Sequence, residues 1–127
     1  MPKKRKNPFQ SCYPGRAFIE TLILWIIHSQ PSHGYELRKK IKQITSGNYI
    51  PKPGSIYTIL RRMEEKGLLK SIWKEKTGKR NKRIYYITKE GENLLKTRLK
   101  IMKKRIKLLE QMVTYYNNVF LRKKLNV

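Results

Sequence analysis

The chain has 127 residues, 31 of them Lys or Arg and 8 Asp or Glu, for a formal net charge of +23. That length suits one domain, and a hydrophobic share of 39% is enough for a small core, which excludes a disordered basic tail. Such charge on a folded chain calls for a polyanionic partner, nucleic acid first and an anionic membrane surface second.

Residues 1–14 read as a flexible basic arm. Lys3-Lys4-Arg5-Lys6 lies between Pro2 and Pro8 and cannot pack. It can track a DNA groove, or it is a solvated terminus. Cys12 is the only cysteine, so no internal disulfide can form and a reducing cytosol is the expected compartment. No metal site and no cofactor are expected, because His28 and His33 are the only histidines and no four-ligand set accompanies them.

Gly15 to Ser29 reads as a first helix, apolar on nearly every side through Phe18, Ile19, Leu22, Ile23, Trp25, Ile26 and Ile27. A helix of that kind is buried all round. In so small a chain it should pack on its own domain and on a second subunit, with Phe18, Leu22 and Trp25 at that interface. The apolar run is interrupted by Glu20 and Thr21 and falls short of the ~20 residues of a membrane span. No signal-peptide cleavage pattern follows it.

Ser32 is placed as the N-cap of a second helix reaching about Thr45, with Leu37, Ile41 and Ile44 as its apolar stripe. Tyr49 to Pro53 is extended, since each proline pushes its predecessor out of the α region. The third helix is expected over Gly54–Lys66. There Ile56, Ile59, Leu60 and Met63 fall at i, i+3, i+4, i+7 and form one buried face. Gly67 is its C′ terminator.

Strands are expected over Leu69–Lys74 and Arg83–Thr88, with 75–82 as a basic hairpin tip. Of Tyr85 and Tyr86, at least one should join the core. Thr88 then caps a last helix of about 34 residues, some 50 Å long at 1.5 Å per residue. On it Leu95, Leu99, Met102, Ile106, Leu109, Val113, Tyr116 and Phe120 keep a heptad spacing. The seam is too long for its own domain to cover, so Leu99, Met102, Ile106, Leu109, Val113 and Tyr116 are assigned to a dimer interface. Lys96, Arg98, Lys103 and Arg105 flank it and would repel one another in a parallel pair. An antiparallel crossing, or packing on the partner's first helix, avoids that.

Three helices followed by two strands make a winged helix-turn-helix, an α+β but mainly α fold, over residues 15–88, with residues 89–127 as a dimerisation helix and tail. DNA-binding candidates are Lys52, Ser55, Tyr57, Thr58, Arg61 and Arg62 at the third helix and Lys79, Arg80 and Lys82 on the wing. Short hydroxyls near a helix N-terminus and arginines beyond them suit phosphate and base-edge contacts. Alternatively Arg61 and Arg62 pair with Glu64 or Glu65 as a solvated face, and Trp25 and Trp73 serve packing. No phosphate loop, paired-carboxylate or triad pattern suggests an enzyme.

Ser32-His33-Gly34-Tyr35-Glu36-Leu37, the run from Gly54-Ser55-Ile56-Tyr57 to Gly67-Leu68-Leu69, and Tyr85-Tyr86-Ile87-Thr88-Lys89-Glu90-Gly91 together resemble the PadR family of transcriptional regulators. The resemblance covers roughly residues 17–95. It implies a homodimeric, repressor-type DNA-binding protein whose C-terminal helix crosses to the partner, in the family's shorter C-terminal form. Thr58 stands where the family usually has proline, and +23 is high for the family. The expected protein is thus a cytoplasmic, nucleoid-associated regulator that binds double-stranded DNA as a homodimer, without a membrane partner. The excess charge also fits a sequence-tolerant chromatin or architectural protein, and less well an RNA-binding one.

Overall fold

The computed structural model describes residues 15–76 and 79–122, the side chains of 75–76 and 79–81 excepted. The expected arm at 1–14, the hairpin tip at 77–78 and the tail at 123–127 lie outside the described residues. Helix α1 spans Arg16–Ser29, α2 Gly34–Ile44, α3 Pro53–Glu65 and α4 Lys89–Tyr116. Strands β1 (Leu69–Lys76) and β2 (Lys79–Ile87) form one antiparallel pair between α3 and α4. The chain divides into two compact units, one ending at Leu95 and one starting at Lys96.

The first unit is the winged helix-turn-helix. Its core joins Ile23, Leu24, Ile26 and Ile27 of α1, Leu37 and Ile41 of α2, Ile56, Leu60 and Met63 of α3, and Leu68, Leu69, Tyr85 and Leu95. The expected third-helix face is thus the buried one, with Ile59 packed at its edge. Tyr85 is the tyrosine of its pair that enters the core. Ile44 does not complete the α2 stripe and stays exposed.

Helix α1 is not covered on all sides: Trp25 keeps 46% of its surface exposed. Glu20, inside the apolar run, is buried and meets Lys66 Nζ at 3.1 Å, so its charge is paired across to the end of α3.

Capping of α2 differs from expectation. His33, not Ser32, is the N-cap: its Nδ1 accepts from the Glu36 backbone N–H at 3.3 Å, while its Nε2 meets Glu36 Oε1 at 2.8 Å. Ser32 is instead a single bridge residue beside the wing. Tyr85 N–H donates to Ser32 O at 2.9 Å, and Ser32 N–H to Tyr85 O at 3.4 Å. The wing is thereby tied to the α1–α2 turn.

Helix α3 begins one residue earlier than expected, with Lys52 as N-cap and Pro53 in the first turn, where a missing N–H costs nothing. It ends at Glu65, one residue before the expected Lys66, with Gly67 as the expected C′ stop. Gly67 has φ +79°, Gly67 N–H donates to Glu64 O at 3.0 Å, and Leu68 N–H donates to Met63 O at 2.9 Å, a Schellman stop. Thr88 caps α4 by accepting from Gly91 N–H at 3.0 Å.

The hairpin is longer than expected. Most of 75–82 is strand, with a register shift between Lys74 and Lys76. The pairing sets Trp73 opposite Arg83, Lys74 opposite Lys82 and Lys76 opposite Lys79. Like charges facing across a ladder are unfavourable, so the wing keeps a positive density that folding alone does not reward.

In the second unit α4 continues to Tyr116 and closes in a π-helical turn over Asn117–Leu121, where Phe120 stacks on Tyr116 at 6.1 Å between ring centroids. Leu99, Ile106, Leu109, Val113, Tyr116 and Phe120 are exposed, so the second unit does not bury the seam within itself. Ile101, Leu108, Met112 and Tyr115 add a second exposed apolar line. Among the described residues no helix is long and apolar enough to cross a membrane.

Candidate nucleic-acid interface

Burial of Ile56, Leu60 and Met63 turns the rest of α3 outward. Ser55, Tyr57, Arg61 and Arg62 are exposed, Lys52 is exposed just ahead of the helix, and Thr58 is half-buried with its hydroxyl donating to Gly54 O at 2.9 Å. These six candidates share one element but not one side. Tyr57 and Arg61 line a cleft of about 530 Å³ toward the wing, completed by His33, Gly34, Tyr35, Trp73, Lys82, Arg83 and Tyr85. Ser55, Thr58 and Arg62 line a second cleft of about 420 Å³ with Arg16, Ile19, Tyr49 and Ile59. Neither cleft is lined by a carboxylate.

The walls of the first cleft are fixed from beneath. Gly34 is there because Tyr57 needs the space: a Cβ on Gly34 would lie 2.5 Å from Tyr57 Cε1. Tyr85 is only 4% exposed, and burial pushes its phenol above the ordinary value, against the opposing pull of Arg83. Arg83 sits 5.5 Å from the Trp73 ring centre and 5.9 Å from that of Tyr85. These contacts follow from strand geometry, since Arg83 and Tyr85 alternate onto one face and Trp73 is opposite Arg83.

Arg83 also meets Glu64: its Nη2 donates to Glu64 Oε1 at 3.1 Å. Glu64 is therefore taken by the wing rather than by Arg61 or Arg62. Among the described residues neither arginine of α3 makes an ion pair, nor does Lys82. The expected packing role of Trp73 does not hold, for the residue is 62% exposed on the cleft. Lys79 and Arg80 fall on β2 rather than in a loop, and their side chains lie outside the described residues. In the second cleft burial raises the Tyr49 phenol above its ordinary value.

Five cleft residues escape a reading based on local pattern: Arg16, Tyr35, Tyr49, Trp73 and Arg83. For Arg83 the signal was its alternation with Tyr85. Trp73 joins it through its register opposite Arg83, and the other three come together only through tertiary packing.

Of the residues assigned to a dimer interface, Trp25, Leu99, Ile106, Leu109, Val113 and Tyr116 are exposed, Phe18 and Met102 are half-buried, and Leu22 is already buried in its own chain.

The model of the transcriptional regulator PadR-like family matches residues 23–97. The transcriptional regulator YqjI of Escherichia coli K12 is 35% identical over 96 residues, covering 73% of this chain and 44% of that protein. The chain thus spans less than half the length of the curated relatives matched at this identity. The crystal structure of smu.1704 from Streptococcus mutans superposes with a TM-score of 0.68 at 31% identity, covering 80% of this chain and 92% of that one. PadR of Bacillus subtilis, solved in complex with operator DNA, shares the fold with a TM-score of 0.60 at 21% identity, over 66% of this chain and 47% of that one.

Proposed function

Because the chain belongs to the transcriptional regulator PadR-like family, we propose that it binds double-stranded DNA as a homodimer, reads an inverted repeat and represses transcription from it. One observation carries the reading. Arg61 and Arg62 leave the exposed side of α3 toward two different clefts, neither lined by a carboxylate. Between those clefts α3 forms a ridge suited to a major groove, with Arg61 and Arg62 reaching guanine edges or phosphates and Ser55, Tyr57 and Thr58 near the helix N-terminus. Lys52 and the wing residues Lys79, Arg80 and Lys82 serve the flanking backbone. The like-charged pair Lys74 and Lys82 supports this role, since its repulsion is relieved when phosphates lie against it. The operator complex of the Bacillus subtilis protein supports it by analogy of fold.

The homodimer reading draws on the exposed apolar residues of α4 and on Trp25. A soluble chain rarely leaves so long an apolar line open to water. A second copy covers it, either by antiparallel crossing or by receiving α4 on its first helix.

A second reading, sequence-tolerant coating of DNA, is favoured by Lys96, Lys100, Lys103, Lys104 and Lys107, which fall at i, i+4, i+7, i+8 and i+11 along one side of α4. Genome-wide footprinting of the purified protein at physiological salt separates the two. Protection of a few discrete sites supports the regulator, and even coverage supports the coating protein.

A further inference from the structure

Duplex binding leaves one part of the first cleft unused. Trp73 is 62% exposed, and a duplex offers no free base face to it. Its described ring contact is with the Arg83 guanidinium, which is itself held by Glu64. Tyr57 stands in the same cleft, seated by Gly34, and Tyr85 is packed in the core. Arg61 and Lys82 supply positive charge that no described carboxylate neutralises. Aromatic rings interleaved with cations in a groove are the means by which proteins hold unpaired nucleotides, the rings taking bases and the cations taking phosphates.

We infer that the cleft between α3 and the wing binds an unpaired nucleotide, its base stacked on Trp73 and its phosphate held by Arg61 and Lys82. A volume of about 530 Å³ lies within the ordinary range of small-molecule pockets, roughly 300–1,000 Å³. The absence of a lining carboxylate favours an anion, and more than one cation favours phosphate over an uncharged group. Arg83 is the fixed element: held by Glu64 and Ser71, it stands over one face of the Trp73 ring rather than moving to the ligand, so the base takes the opposite face. The ligand comes either from a single strand of DNA or from a free nucleotide. Because Arg61 and Lys82 are also assigned to duplex phosphates, duplex and unpaired nucleotide exclude each other. That exclusion rests on the proposed function, but the stacking site does not.

The test uses the full chain and two single strands of equal charge, a thymidine hexamer and an abasic hexamer with the same phosphates. Binding is followed by anisotropy and by the two tryptophan indole resonances, Trp25 serving as internal control. The thymidine strand should bind about tenfold tighter than the abasic one, as expected for roughly one stacked base. It should shift the Trp73 indole and leave Trp25 in place. Trp73→Ala should abolish the difference between strands, and Trp73→Phe should restore part of it. Since Trp73 is exposed, folding of these variants is checked directly by circular dichroism.

Equal affinity for the two strands, or an unmoved Trp73 resonance, overturns the inference. Displacement of the strand by thymidine monophosphate shows that a free nucleotide suffices. If high concentrations of the monophosphate do not displace it while the strand difference persists, the ligand is the strand. Loss of discrete duplex sites with the strand difference intact overturns the proposed function alone. The reverse pattern overturns the nucleotide site alone.

Discussion

Arg83 joins the wing to α3 through Glu64: Arg83 Nη2 donates to Glu64 Oε1 at 3.1 Å, and Ser71 Oγ donates to Glu64 Oε2 at 2.6 Å while accepting from Arg83 Nε at 2.7 Å. This three-residue lock engages Glu64, the carboxylate three residues from Arg61 on the same helix. Glu64→Gln removes that charge and should loosen Arg83 toward the proposed duplex-facing side. Non-specific duplex affinity should then rise, and its logarithmic salt slope should steepen by about 0.9, one added phosphate contact. The pair is partly exposed, so the loss of stability in urea should stay under about 1 kcal/mol. An unchanged slope contradicts a role for the lock in setting the charge of the interface.

Arg61 and Arg62 should behave as separate contacts, because they line different clefts. Arg61→Ala and Arg62→Ala should each weaken a specific site by about 1–3 kcal/mol if the lost contact is to a base edge. The double variant should be close to additive. Lys82→Ala and Lys52→Ala should instead weaken all duplexes alike and flatten the salt slope. Competition titrations with specific and scrambled duplexes distinguish the two patterns.

Ile106→Asp combined with Leu109→Asp puts charge on the exposed line of α4. Sedimentation velocity should then report a monomer with unchanged helix content by circular dichroism. A dimer that survives both substitutions contradicts the assignment of this line to a second copy.

Tyr85 supplies a pH dependence with a definite sign. Burial raises its folded-state pKa above the unfolded value of 10.0. The neutral phenol therefore contributes stability that is present below pH 10 and is lost as pH rises through the folded pKa. Among the described tyrosines Tyr49 is also raised by burial, so in alkaline titration two should ionise late by absorbance, with unfolding advancing alongside them. Tyr85→Phe should remove one of the two. If both persist unchanged, neither late component belongs to Tyr85.

Local periodicity made much of this fold legible. The i, i+3, i+4, i+7 face of Ile56, Ile59, Leu60 and Met63, the Gly67 stop and the Thr88 cap all depend on neighbours within a few residues, and they occur as read. The exceptions arise where distant partners decide. Ser32 and His33 can both cap α2, and Ser32 is withdrawn from that role by its bridge to Tyr85, more than fifty residues away. The wing strands continue through 75–76 and 79–82 even though Lys74 is set opposite Lys82, in a segment that composition reads as loop. Trp73 and Arg83 enter the cleft through strand register, and Arg16 through packing of α1 beside α3. The exposed side of α3 could be read directly, whereas its division between two clefts could not.

Hydroxyl-radical footprinting of one isolated high-affinity site tests the central claim most directly. A homodimer presenting two copies of α3 to successive major grooves should protect two half-sites centred about 10–10.5 base pairs apart, roughly 34 Å, on one face of the duplex and related by inverted symmetry. Arg61→Ala should weaken both halves equally. Protection of a single half-site, or an even ladder without a centre of symmetry, would contradict a dimer reading an inverted repeat through α3.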